Sequence, residues 1–140
     1  MIIHLKKNEK LFINGAVIML DRRGSIELLN DAQFLLASHV MQVEDATTPL
    51  RRLYFVVQTM IIDPAGAELT RTLFDTHHAQ LCAAVSLQAY QELLAQVKKL
   101  VKETEYFEAL KLLRKNFDMD EVLMAKMAGQ TAAQSQTKAA

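Results

Sequence analysis

Two pairs of adjacent arginines are the residues best placed to do chemistry. Asp21-Arg22-Arg23-Gly24 sets two guanidinium groups side by side at a turn signal. Guanidinium planes make bidentate hydrogen bonds to phosphates and stack on unpaired bases. The alternative is a solvated turn in which Asp21 balances one arginine. The second pair, Arg51-Arg52, falls just after Thr48-Pro49-Leu50, in the first turn of a predicted helix. Cations there oppose the helix dipole. Their presence asks for a compensating partner, either a phosphate that also meets the free N–H groups of the helix start or ion pairs with Glu44 or Asp45. Lys6, Lys7 and Lys10 add positive charge to the first hairpin, offset by Glu9, Glu27 and Asp31. Aromatic residues interleave thinly with these cations. Phe12 and Phe34 are the aromatics of the strand region, both are core candidates, and a stacking platform of the RRM type is not indicated.

Other groupings are weaker. Asp75, His78 and Cys82 follow at helical spacing and resemble a partial metal set, but a zinc site needs a further ligand and an organised second layer. The same residues fall short of a Cys–His nucleophile because no third group orients them. Lys98, Lys99, Lys102, Lys111, Arg114 and Lys115 alternate with Glu103, Glu105 and Glu108, the pattern of a solvated, salt-bridged helix face. Met119, Met124 and Met127 suit core or terminal packing better than a partner surface. Phosphate loops, dinucleotide fingerprints, paired-carboxylate motifs and serine elbows are missing from the sequence. No catalytic residue, metal site or cofactor is expected, and the chain reads as a binding protein rather than an enzyme.

The elements that must carry these residues are legible. Asn14-Gly15 between Lys10–Ile13 and Ala16–Leu20 is a strong hairpin signal, because a type I′ turn needs positive φ at both central positions. Ile2–Leu5 is a further strand candidate. Ser25–Leu29 is expected to pair back on Ala16–Leu20, and Gln33–Leu36 to follow after Asn30-Asp31, which gives an antiparallel meander. Such a sheet needs cover on its apolar face. Helices supply it. Thr47 or Thr48 caps the first and Pro49 takes its opening position. Leu53, Val56, Val57 and Met60 share one face, and Asp63-Pro64 ends it. Leu69, Leu73, His77, Leu81 and Ala84 trace a second helix. Ser86 is expected to cap a third, with Tyr90, Leu93, Leu94, Val97, Leu100 and Val101 inward. Helix continues over Glu103–Lys115 after a kink near Thr104, and a short one spans Asp118–Ala128. The class is α+β: a strand-rich N-terminal lobe over residues 1–46, a helical lobe over 47–128 and a small, polar, frayed tail over 129–140.

Half the residues are hydrophobic and the formal net charge is zero, so a core is available and bulk charge makes no case for nucleic acid. One cysteine rules out an intrachain disulfide. The opening residues lack the order of a signal peptide, and no apolar run reaches the roughly 18 residues of a membrane span. A cytoplasmic protein without membrane contact is expected. Exposed strand edges leave room for a homodimer.

Glu9-Lys10-Leu11-Phe12-Ile13-Asn14-Gly15-Ala16-Val17-Ile18, the Arg22-Arg23 pair, Thr48-Pro49-Leu50-Arg51-Arg52-Leu53-Tyr54-Phe55-Val56-Val57-Gln58 and the Asp63-Pro64 break resemble the flagellar regulator family FlbT. The likeness runs to about Lys115; from Asn116 onward it gives no help. The resemblance implies a post-transcriptional regulator that acts on the 5′ untranslated region of flagellin messenger RNA, controls its translation or decay, and works with a FlaF-type flagellar protein. It implies no catalytic residues. Placing the cations on this expectation makes Arg22 and Arg23 contacts for phosphates or bases and Arg51 and Arg52 clamps for backbone phosphates. Lys6, Lys7 and Lys10 assist electrostatically. The competing expectation is a flagellar adaptor whose helical lobe binds a secretion or chaperone partner, with indirect effects on RNA.

Overall fold

The computed structural model describes residues 1–122 and 124. Five short strands, β1 (Ile2–Leu5), β2 (Lys10–Ile13), β3 (Ala16–Met19), β4 (Gly24–Glu27) and β5 (Phe34–Leu36), precede four helices. These are α1 (Pro49–Ile62), α2 (Ala67–Ala84), α3 (Gln88–Lys102) and α4 (Tyr106–Lys115). The α+β class is as expected, with antiparallel strands first and helices after them.

Asn14 and Gly15 both hold positive φ, +51° and +80°, and close the β2–β3 hairpin as a primed turn. The expected pairing of Ser25–Leu29 with Ala16–Leu20 does not form. β4 pairs instead with β1, Leu5 opposite Gly24 and Ile2 opposite Glu27. β5 joins the free side of β2, so the second sheet runs β3-β2-β5. The reason lies in coverage. β2 and β5 carry apolar residues on both faces. Phe12 and Leu35 belong to the helical core, while Leu11, Ile13, Phe34 and Leu36 face the other way. A single meander leaves that second face wet. The β1–β4 ribbon covers it with Ile3, Leu5 and Ile26, giving three layers: ribbon, sheet, helices.

α1 is the centre of the helical layer, with Leu50, Leu53, Tyr54, Val56, Val57, Gln58 and Met60 buried. Its buried Gln58 both accepts from the Met41 N–H at 2.8 Å and donates to the Met41 carbonyl at 3.0 Å, which ties down the strand-to-helix connection. Asp63 closes the helix as expected. α2 turns a different face inward from the one its leucines suggest. Phe74 and His78 are buried, whereas Leu69 and Leu73 are 82% and 48% exposed. The two candidate stripes share Leu81, and the one with the larger ring wins. Ser86 does not cap α3. Leu87 holds that position without a side-chain bond, and Gln91 caps the preceding helix by donating to the carbonyls of Cys82 and Val85. Near Thr104 the helix breaks outright, with φ +59° there and the Glu105 N–H returning to Leu100 O at 2.8 Å. Residues 118–122 are helical; the rest of the expected last helix and the tail lie outside the described residues. Among the described residues no helix is long and apolar enough to cross a membrane.

Candidate nucleic-acid interface

The register of the β1–β4 ribbon decides what lies near the first arginine pair. With Leu5 opposite Gly24, the next positions outward are Lys6 and Arg23. Strand alternation sends Ile3 and Leu5 into the core and His4 to the opposite face. There His4 Nδ1 lies 2.9 Å from Ser25 Oγ. Lys6, Arg23 and His4 line one cleft of about 460 Å³ together with Glu9, Leu36 and Ser38. Two permanent cations face one carboxylate there. Arg22 and Lys7 are exposed on the neighbouring turns and Lys10 on β2 beside Met19, outside the lining of this cleft. The cleft thus presents two exposed cations beside one carboxylate and the His4–Ser25 pair.

The second arginine pair sits in a different environment. Thr48 caps α1, its Oγ1 accepting from the Arg51 N–H at 3.4 Å. The Leu50 N–H donates to Asp120 Oδ2 at 2.7 Å, across 70 residues of chain. Asp120 is fully buried and also accepts from the Tyr90 hydroxyl at 3.1 Å. A carboxylate of this chain therefore occupies the positive end of the helix, where an outside phosphate was the alternative. Burial, and then the neighbouring Asp120, push the Tyr90 phenol well above its ordinary range. The Arg51 guanidinium lies 5.0 Å from the centre of the Phe117 ring and also reaches Thr48 Oγ1 at 3.5 Å. Neither Glu44 nor Asp45 pairs with it; the ion pair found among the described residues is Lys111 with Glu108 at 3.5 Å. Phe117 in turn meets Tyr54 edge to face at 5.4 Å, and Arg114 donates to the Tyr54 hydroxyl at 2.7 Å. Arg52 projects outward, exposed.

The thiol set is local and structural. His78 Nε2 lies 2.7 Å from the Leu94 carbonyl, which only accepts, so this nitrogen carries the proton. In the neutral ring Nδ1 then accepts from the Cys82 thiol at 3.7 Å. Asp75 makes no third member, and no group of three metal-ligating side chains gathers among the described residues. The expected salt-bridged face of the last helices reduces to the Lys111–Glu108 pair. Sequence reasoning missed Gln58 and Asp120. Nothing in a lone buried amide or carboxylate distinguishes it along the chain before its distant partners are known.

The chain matches the family model described as Flagellar protein FlbT over residues 1–124. The match therefore extends past Lys115 through the Asn116–Asp120 stretch, in keeping with the buried Asp120. It is 48% identical over 118 residues to a probable flagellum biosynthesis repressor protein FlbT of Mesorhizobium japonicum, covering 84% of this chain and 80% of that one. A similarly named protein of Bradyrhizobium diazoefficiens is 41% identical, with 90% and 93% covered. One of Chelativorans sp. is 46% identical, with 88% and 85% covered. No solved structure matches the chain.

Proposed function

The chain belongs to the FlbT family of flagellar proteins, and from that premise we propose that it restrains flagellin synthesis by binding the 5′ untranslated leader of flagellin messenger RNA. Its relatives' names, probable flagellum biosynthesis repressors, support the regulatory part. The observation that carries the RNA part is the cleft in which Lys6 and Arg23 meet across the β1–β4 register. Neither cation has an acidic partner among the described residues. Phosphates of an unpaired leader segment fill that role, and Arg22, Lys7 and Lys10 add a field around it. A bound leader is closed to ribosome loading, or is held open to a nuclease; the protein itself cuts nothing. Specific RNA recognition targets loops and single strands, which suits a few placed cations on a chain of zero net charge.

Titration of the protein with the labelled leader and with a scrambled leader, at two salt concentrations, tests this. Selective binding that weakens with salt, and a salt slope lowered by about one unit in Lys6→Ala or Arg23→Ala, is the expected result. Equal weak binding to both RNAs sinks it. Exposed Leu69 and Leu73 on α2 favour a second reading, an adaptor docking a flagellar protein of FlaF type on its helices. In that case Leu69→Ser abolishes partner capture and Arg23→Ala leaves it intact.

A further inference from the structure

A second groove lies between β5 and α4, at the junction of the strand and helical layers. Phe34 and Leu36 of β5, Tyr54 of α1, and Phe107, Lys111 and Arg114 of α4 are among the residues that line it. The volume is about 200 Å³. That is below the roughly 300–1,000 Å³ of small-molecule sites and suits one planar ring. No carboxylate lines it. Glu108, just outside, pairs with Lys111 on the surface, where such a pair is weak and easily exchanged. Arg114 is held in place by its bond to the Tyr54 hydroxyl. The groove adjoins the Lys6–Arg23 cleft. Leu36 lines both, and the consecutive residues Ser38 and His39 line one each.

We infer that this groove receives an unstacked nucleobase of the same RNA strand whose phosphates occupy the Lys6–Arg23 cleft, a deepening that rests on the RNA reading above. The base lies against the ring of Phe107, and its phosphate meets Lys111 and Arg114. The three attributes of the groove, aromatic lining residues, two cations and room for one ring, match a nucleotide, and its continuity with the cleft matches a strand. The cleft fixes the backbone and the groove supplies the contact that senses a base.

The test is anisotropy titration of the fluorescein-labelled flagellin leader with the wild-type protein and with Phe107→Leu, which keeps the apolar volume and removes the ring. Photocrosslinking of wild type to the same leader carrying 4-thiouridine runs beside it. The inference expects binding about tenfold weaker in Phe107→Leu with an unchanged salt slope, since no phosphate contact is lost, and crosslinks in the β5 or α4 peptides. Wild-type affinity in the variant, with crosslinks only elsewhere, overturns the groove and leaves the RNA reading standing. If wild type itself fails to select the leader, the RNA reading falls and this inference with it. If Phe107→Leu unfolds, the crosslink position decides alone. A flagellar protein captured through Phe107 while RNA binding ignores it assigns the groove to a protein and overturns the proposal.

Discussion

Arg22-Arg23 and Arg51-Arg52 are the same dipeptide in two surroundings. The first pair lies in a bend, exposed, with Arg23 and Lys6 lining one cleft and no acid ion-paired to them among the described residues. The second opens a helix whose free N–H groups already have Thr48 and Asp120 as acceptors, and Arg51 lies on Phe117. Like charge has a different use in each place. At the bend it is available to an outside anion. At the helix start Arg51 is part of an internal cluster that joins α1 to the segment after α4, while Arg52 stays exposed. Residue type suggests the chemistry a side chain can do, and the partners already present decide whether it is free to do it.

The sharpest way to break this comparison is to remove the internal anion. Asp120→Ala orphans the Leu50 N–H and the Tyr90 hydroxyl in a buried site, and the expected loss is about 3 kcal/mol in urea unfolding. A loss near zero would mean that Asp120 does not close the start of the helix that carries the second pair. Next in size, Arg23→Ala is expected to weaken leader binding by about tenfold with its unfolding midpoint unchanged. Arg51→Ala should invert that pattern, costing about 1 kcal/mol of stability through the lost ring contact and leaving the affinity close to wild type. Equal effects of the two substitutions on affinity would erase the distinction. The smallest effect is alkaline. The Tyr90 phenol is raised in the folded state, so above the ordinary tyrosine value of about 10 the unfolded chain loses its proton first. Stability is then full below about pH 10 and falls as pH rises past it. Tyr90→Phe should flatten that fall in unfolding curves taken at pH 9 and pH 11.

Local signals carried most of the elements. Asn14-Gly15, Thr48-Pro49 and Asp63-Pro64 act within a few residues of themselves, and each does in the structure what its chemistry requires. What the sequence concealed was pairing at a distance. β4 chooses β1 over its neighbour β3 because a face of β2 needs cover, a fact about layers rather than about residues 16–29. α2 carries two apolar stripes, and only the neighbouring helices choose Phe74 and His78 over Leu69 and Leu73. The candidate cleft was half legible. The cations were evident, but their meeting depends on the β1–β4 register, and the adjoining groove depends on β5 and α4 lying side by side.

The bond from Leu50 to Asp120 has a consequence for the making of the protein. A chain grows on the ribosome at roughly 5–20 residues per second, so the 70 residues between the two partners take roughly 4–14 s to follow. Helix formation takes under a microsecond or so. The first helix therefore has ample time to form and reopen many times before its lock is synthesised, and the start of that helix acquires its buried acceptor only after nearly the whole described chain has been made.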